Sequence, residues 1–304
     1  MRITRDNIYN QFIDGIEPCV KISSGERITV ETLDALFGKS DEVRDGKFSK
    51  KYTFTHANPA TGPIYINGAL PGDTLEIEIH EIKLTGVGYL SVPNSGESTE
   101  NTRNGYDYIK FEAMPDNKNL RALRSNKIFP AKPMIGVIGV AVSDEVFGGR
   151  FAFGVEAGDH GGNMDNNAIT SGVKVYMPVF AEGALLGLGD VHAVMGDGEV
   201  FGQGVEICAD IDITVNLIKD MKINRPLVIS DEVISAAASA ETIEKASDLT
   251  VSDMRFILET HYGLTPVDAA LAVAFYGDLR VCQIVNSQKT MRMEIRKDVL
   301  NLFK

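Results

Sequence analysis

Two stretches of strict alternation between apolar and polar side chains constrain the fold of this chain more than any other feature. In Val205–Val215, apolar residues occupy the odd positions, and Glu206, Asp210 and Asp212 occupy even ones. Thr74–His80 shows the same pattern, again with apolar residues at the odd positions. A period of two is typical of a strand with one face on a core and the other in water. Both stretches are therefore predicted to be half-buried antiparallel strands.

Three further stretches extend this interpretation of the chain. Pro130–Val142 is apolar almost throughout and contains glycines, which indicates a strand buried on both faces. The polar segment 38–46 is predicted to be an excursion between strands. Residues 91–106 are rich in Pro, Asn, Ser and Gly, and loops of that length in compact domains are usually lids, binding loops or disordered segments. We therefore expect a sheet-rich body interrupted by long surface segments.

The sequence changes character at Ser230, where helical signals begin. Thr265 supplies an N-cap, Pro266 suits the first helical position, and Gly277 is predicted to end that helix as a left-handed cap. An earlier helix is expected to end similarly at Gly263, and two short strands should follow the second helix. The predicted fold class is mainly β, with a β-rich body over residues 1–229 and a smaller C-terminal α+β unit over 230–304.

Charge and composition argue against several classes of function. With 42 acidic and 30 basic residues, the formal net charge of −12 disfavours a nucleic-acid or anionic-membrane partner, whereas it does not affect a small neutral substrate. No apolar run approaches the roughly 18 residues of a membrane span, and the first residues lack the apolar region of a signal peptide. Three widely spaced cysteines fit reduced thiols better than disulfides. These features predict a cytoplasmic protein.

Candidate functional residues concentrate in the stretch 158–206. It holds two of the five histidines, His160 and His192, each near carboxylates and glycines. Polar ligand-type residues among turn glycines are how a β scaffold aims side chains at one point. If residues 190–194 form a strand, its alternation places Asp190 and His192 on one face, where both could hold the same ion.

Two turns are expected to complete this site. The Gly196-Asp-Gly198 turn is a hairpin signal that would fold Glu199 back beside the strand of His192. Asp197 is interpreted as a turn former only. The segment 159–165 has too many glycines and short polar residues for a helix or strand interior, so it is predicted to be a loop. In the turn-rich block that starts at residue 56, Asn58 could approach the site, whereas His56 is expected to be structural.

Five motifs, taken together, resemble the acetamidase/formamidase family, and they occur in the family's order over most of the chain. They are Thr61–Ile66, Gly68–Asp73, Pro133–Ala141, His160–Asp165 and Gly189–Glu199. The resemblance implies a jelly-roll-like β-sandwich body and hydrolysis of short aliphatic amides to a carboxylic acid and ammonia. It also implies a cytoplasmic homo-oligomer, with a homodimer as the expected form.

Amide hydrolysis of this kind needs an activated water, a stabilised oxyanion and a proton for the leaving amine. A divalent metal can supply the first two. We assign such a metal to His160, Asp190 and His192, with Asp165 as a further ligand or an orienting residue. Zinc is the expected ion because imidazole suits it, and calcium is the alternative because the site is rich in carboxylates.

A carboxylate would then move the proton between water and nitrogen. Glu199 is the candidate base, although an acid after such a turn is often merely solvated. Glu206 is the reserve candidate, and the alternative is that it faces water with its strand. Asn163 could donate its amide to the substrate carbonyl or only stabilise its own loop. Cys208 is a poor nucleophile because neighbouring acids raise the pKa of a thiol.

Two other functions stay open at this point. The metal could act on another linear or cyclic amide, or it could stabilise a non-catalytic β-sandwich binding module. Bound-metal identity would separate the enzyme from the binding module, and a substrate panel would separate the two enzymes.

Overall fold

The computed structural model describes residues 1–38, 57–93, 106–143 and 154–303. Within these ranges the chain is mainly β, as predicted, with its strands in one hydrogen-bonded network. The first ten strands are β1 (Arg2–Ile3), β2 (Ile8–Tyr9), β3 (Val20–Ile22), β4 (Glu26–Thr32), β5 (Ala60–Ile66), β6 (Thr74–Pro93), β7 (Tyr106–Ala113), β8 (Asn119–Ala122), β9 (Ile128–Pro130) and β10 (Met134–Gly139). The next seven are β11 (Ala157–Gly158), β12 (Gly161–Asn163), β13 (Lys174–Pro178), β14 (Leu186–His192), β15 (Glu206–Ile218), β16 (Leu227–Ile229) and β17 (Val233–Ala240). The chain continues with α1 (Ile243–Thr260), α2 (Pro266–Tyr276), β18 (Asp278–Gln283), β19 (Lys289–Arg296) and a 3-10 helix over Lys297–Phe303.

The two alternating stretches form the long antiparallel pair β6–β15, which confirms both strand predictions. Leu75, Ile77 and Ile79 from β6 are fully buried and belong to the main hydrophobic core. On β15, Ile211 and Ile213 join the same core, because alternate side chains of a strand share one face. The paired strands therefore present one continuous apolar face, which forms part of the main hydrophobic core.

Alternation fails at the start of β15, where Glu206 is buried rather than solvated. The register between β15 and β6 shifts between Glu206 and Cys208, opposite Tyr89 and Thr85. A bulge of this kind redirects side chains relative to the regular part of the strand. Glu206 is consequently buried, whereas Asp210 and Asp212 on the regular part of the strand are partly exposed. The expectation that Glu206 simply faces water is wrong.

The apolar run predicted to be buried on both faces is β10, and every one of its residues is buried. It pairs with β14 on one side and with β12 on the other. The short strand β12 corrects the prediction that residues 159–165 form only a loop. Glycine makes this strand possible, since a Cβ on Gly161 would lie 2.3 Å from the carbonyl oxygen of Ile138.

The C-terminal helices and strands are present as predicted, with two corrections. The residues that follow Ser230 form β17, and the first helix begins only at Ile243. Thr265 caps α2 by accepting a hydrogen bond from the backbone N–H of Asp268. Gly263 has a left-handed backbone after α1, but Gly277 is extended, with φ −79°. Glycine is required at 277 for space, because a Cβ there would lie 2.5 Å from the carbonyl oxygen of Val273.

This region has a hydrophobic cluster of its own, which includes Leu227, Met254 and Met293. It is also continuous with the main sheet, because β16 pairs with both β13 and β17. The boundary between residues 229 and 230 stays a prediction. Most of the predicted excursion at 38–46, the interior of the predicted loop at 91–106, and His56 lie outside the described residues. None of the described helices is long and apolar enough to cross a membrane.

Candidate active site

Four carboxylates and one histidine meet where β14 ends and β15 begins. His192 pairs directly with Glu206, and its Nε2 lies 3.3 Å from Glu206 Oε1 and 3.7 Å from Asp190 Oδ1. Two sets of ligand atoms lie within 4.8 Å of one another: Asp165, Asp190 and His192 form one, and His192, Glu199 and Glu206 form the other. All five residues, which we call the acidic cluster, are buried. Four of the sequence-predicted site residues therefore converge, together with Glu206.

Strand β10 passes against the acidic cluster at Gly136. A Cβ at this position would lie 2.7 Å from Asp165 Oδ1 and 2.7 Å from the carbonyl oxygen of Asp190. Real Cβ atoms do not approach other atoms so closely, so only glycine leaves room for the two acids. The glycine in this apolar strand is thus what lets charged side chains lie against its backbone.

Three acids of the cluster have a left-handed backbone. The φ angles are +44° at Asp165, +52° at Asp190 and +47° at Glu199. Such conformations cost of order 1–3 kcal/mol each and collect at functional sites. At Asp190 the conformation also breaks the alternation predicted for residues 190–194, and the strand ends at His192. Asp190 and His192 still converge, but by this local turn of the backbone rather than by regular pleating.

Glu199 reaches the cluster from the loop between β14 and β15. Its carboxylate returns beside His192, as predicted, but from a loop and not from a hairpin strand, because the residue paired with His192 is Glu206. The loop is held from the C-terminal region, where the buried guanidinium of Arg292 donates to both carboxylate oxygens of Asp197 at 2.9 Å. Asp197 is therefore more than a turn former: it anchors the loop that carries Glu199.

His160 lies apart from this arrangement. Its buried ring packs against Phe12, with 5.5 Å between ring centroids. Neither set of ligand atoms includes it among the described residues. Burial lowers the pKa of its imidazole to about 3, so the ring is neutral at physiological pH. We therefore leave His160 out of the ligand set proposed below.

Three asparagine side chains surround the carboxylates. Asn58 donates its amide to Asp190 Oδ2 at 2.9 Å, so it does approach the site. Asn286, from the turn after β18, donates to Asp165 Oδ2 at 3.4 Å. With its nitrogen turned toward the acids, Asn163 donates to both Asp165 and Asp190 at 3.2 Å. Its amide hydrogens are thus directed at carboxylates, which fits an orienting role better than donation to a substrate.

The acidic cluster opens into a cavity of about 200 Å³. Asp190, Glu199 and Glu206 line its polar side. Its other walls include Ala35, Leu36, Phe37, Ala57, Tyr89, Val155 and Asn286. The volume is below the roughly 300–1,000 Å³ typical of pockets for drug-sized ligands. A small molecule with a short apolar part suits this space.

Burial dominates the electrostatics of the cluster. Loss of water raises the pKa of Glu199 to about 7 and that of Glu206 to about 8. The same cause raises the pKa of Asp165 well above its usual range. For His192, burial alone would lower the pKa, but Glu206 and Asp190 outweigh it and raise the value. One imidazolium cannot neutralise four carboxylates, so the cluster requires bound protons or a cation.

This imbalance predicts how the stability of the metal-free protein depends on pH. Above pH 6.5 the unfolded chain has released the protons of Glu199 and Glu206, whereas the folded protein still holds them. Raising the pH through 7 and 8 therefore removes stability. From pH 6.5 to 8.5 we expect the free energy of unfolding to fall by roughly 2–3 kcal/mol for these two groups. Urea unfolding at several pH values would measure it.

Glu206→Gln provides the control for this prediction, because glutamine does not titrate. The variant should lose most of the slope between pH 7.5 and 8.5, and a saturating divalent cation should suppress the slope in the unsubstituted protein. A metal-free protein whose unfolding free energy is flat over this pH range would contradict this description of the cluster.

Comparison with known proteins identifies the family. The model of the acetamidase/formamidase family matches residues 1–150 and 150–244. The chain belongs to this family. Its members act as amidohydrolases on linear amides, which the names of its relatives reflect.

Solved structures extend the similarity to the full chain. A predicted acetamidase/formamidase from Thermoanaerobacter tengcongensis is 32% identical with a TM-score of 0.88, covering 99% of this chain and 97% of that one. An acetamidase from Bacillus halodurans is 33% identical with a TM-score of 0.86, covering 100% and 99%. A formamidase from Methylophilus methylotrophus is 23% identical over 70% of this chain and 64% of its own length. The predicted family is thus confirmed.

Proposed function

We propose that this protein hydrolyses short aliphatic amides, such as formamide and acetamide, to a carboxylic acid and ammonia with the help of a divalent metal. The acidic cluster at the base of a small cavity carries this proposal. Family membership supports the reaction, and the dimensions of the cavity support the size of the substrate.

The chemistry of the donor set fits a cation. Asp190 Oδ1 is buried, lies 3.7 Å from His192 Nε2 and has no hydrogen-bond partner among the described residues. Buried charged groups are normally paired or coordinate metals. We propose that Asp165, Asp190 and His192 hold the ion, and zinc accepts both of these ligand types. When bound, such a metal lowers the pKa of water toward about 7 and polarises a carbonyl.

Glu199 and Glu206 would move the proton. Both line the cavity, and neither belongs to the set of ligand atoms that contains Asp165. Glu199 would remove a proton from the attacking water, and Glu206 would deliver one to the leaving nitrogen. Asn163 would keep Asp165 and Asp190 in place through its amide hydrogens.

A calcium-stabilised binding module is the second candidate function. The observation that favours it is the excess of carboxylates, since the acidic cluster contains one imidazole and hard cations prefer oxygen ligands. This candidate predicts tight calcium binding and no turnover of any amide.

The proposal also places the protein in the cytoplasm as a homo-oligomer, with a homodimer as the simplest form. Its three free cysteines support a reducing compartment. An exposed apolar strip on α2, with Val267 and Phe275 more than half exposed, supports self-association.

Ammonia release from a panel of amides tests the reaction. The metal-loaded protein should hydrolyse formamide and acetamide, with kcat/KM falling as the acyl chain outgrows the cavity. Hexanamide and benzamide complete the ammonia assay. Ring opening of the cyclic amide 2-pyrrolidinone is followed separately through the amine of its product, 4-aminobutyrate, because a cyclic amide releases no ammonia. Turnover of 2-pyrrolidinone alone would indicate that the protein is a metal-dependent hydrolase of cyclic amides instead. No ammonia from a folded, metal-loaded protein would reject it.

A further inference from the structure

Tyr89 has a hydroxyl group that the protein itself does not satisfy. The residue lines the cavity and is 2% exposed. Its hydroxyl is buried and has no hydrogen-bond partner among the described residues. Leaving a buried polar group without a partner costs about 1–3 kcal/mol. A buried donor at the wall of a cavity therefore indicates an acceptor that enters with a ligand.

Glu206 provides the complementary atom beside it. Tyr89 and Glu206 are direct partners across β6 and β15, and both line the cavity. Glu206 Oε1 faces His192, but Oε2 is buried and has no hydrogen-bond partner in the described part of the chain. The cavity wall thus presents one hydroxyl donor and one carboxylate acceptor together.

A primary amide carries the matching pair of groups. Its carbonyl oxygen accepts a hydrogen bond and its NH₂ group donates one, and the two are joined through a single carbon. Building on the proposed function, we propose that Tyr89 donates its hydroxyl proton in a hydrogen bond to the substrate carbonyl oxygen, while Glu206 Oε2 accepts from the amide nitrogen. This orientation makes Tyr89 a catalytic residue that stabilises the charge developing on oxygen.

The same orientation accounts for the role of Glu206 in the reaction. The amide nitrogen is held at the carboxyl group that delivers its proton, so binding and proton transfer use one contact. Water adds to the carbonyl carbon while Glu199 takes one of its protons. This proton passes to the neighbouring Glu206, whose Oε2 gives it to the nitrogen as the carbon–nitrogen bond breaks, so that ammonia leaves and both carboxylates are restored. Tyr89 keeps its proton throughout and acts only as a hydrogen-bond donor.

Tyr89→Phe tests the inference, because it removes the hydroxyl and keeps the ring. Loss of one oxyanion donor lowers kcat on the order of 10²-fold. We expect a loss of this size with acetamide and a much smaller loss with thioacetamide, since sulfur is a weak hydrogen-bond acceptor. The ratio of the two losses comes from one preparation, so it is independent of the fraction that is folded. Tyr262→Phe is the matched control, because it removes a half-buried hydroxyl away from the cavity.

The outcomes separate this inference from the proposed function. If the unsubstituted protein releases ammonia and Tyr89→Phe matches it within about twofold on acetamide, the role of Tyr89 is rejected and the amidase stands. Equal losses on acetamide and thioacetamide would also reject it, because they would indicate a packing defect. An unsubstituted protein without amidase activity would reject the proposed function and this inference together.

Discussion

Asp190→Asn is expected to lower the affinity for zinc by more than about 100-fold and to abolish ammonia release from acetamide. Loss of an outer-shell partner costs roughly 10–100-fold in metal affinity, and loss of a ligand charge should cost more. Asparagine tolerates the left-handed backbone at this position, and its oxygen can still accept the hydrogen bond from Asn58. The variant therefore removes the charge and leaves the fold. Calorimetric titration with zinc measures the affinity.

Asp212→Asn is the matched control for that variant. Asp212 lies on the outer side of β15, where Arg27 holds it in an ion pair. Its replacement should leave zinc affinity and turnover unchanged. Zinc affinity of the Asp190→Asn protein within about threefold of the unsubstituted value would contradict the assignment of Asp190 as a ligand.

The second large effect is expected at the two glutamates. Glu199→Gln and Glu206→Gln should each lower kcat by roughly 10²–10⁴-fold, the usual range for general acid–base catalysis. Both variants should still bind zinc, because the proposed ligands are Asp165, Asp190 and His192. Steady-state kinetics with acetamide, beside the zinc content of each preparation, would measure this. Glutamine at either position also relieves the crowding of buried negative charge, so neither variant should be less stable than the metal-free parent.

A different result would reassign the roles. If Glu206→Gln lost zinc as severely as Asp190→Asn, Glu206 would be a ligand and Glu199 the sole proton carrier. If either variant kept full kcat, that glutamate would have no part in proton transfer. Zinc content and kcat together therefore distinguish ligand, proton carrier and bystander for each residue.

Regular elements could be predicted from the sequence because their signals are local. The alternation in Thr74–His80 and the cap at Thr265 each depend on residues within one element, and both are confirmed. The family motifs likewise placed Asp165, Asp190 and His192 in one site, and the structure brings them together. The local sequence pattern was sufficient to predict an element wherever the backbone keeps regular strand or helix geometry.

Residues that depend on irregular backbone or distant contacts could not be predicted in the same way. From the sequence Glu206 is only the reserve candidate for the base, because the bulge that buries it depends on the register with β6. Tyr89 and Asn286 carry no motif, and they join the cavity only through strand pairing and a turn far along the chain. Asp197 resembled a simple turn former because its partner, Arg292, is 95 positions away.

The central claim is that the acidic cluster is the metal centre of an amidase, and one measurement tests it most directly. Ammonia release from acetamide is followed in the purified protein as isolated, after chelation and dialysis, and after stepwise return of zinc, with calcium returned in parallel. We expect activity to vanish on chelation and to return in proportion to zinc, but not to calcium. Full activity in a protein shown to contain no metal would contradict the claim.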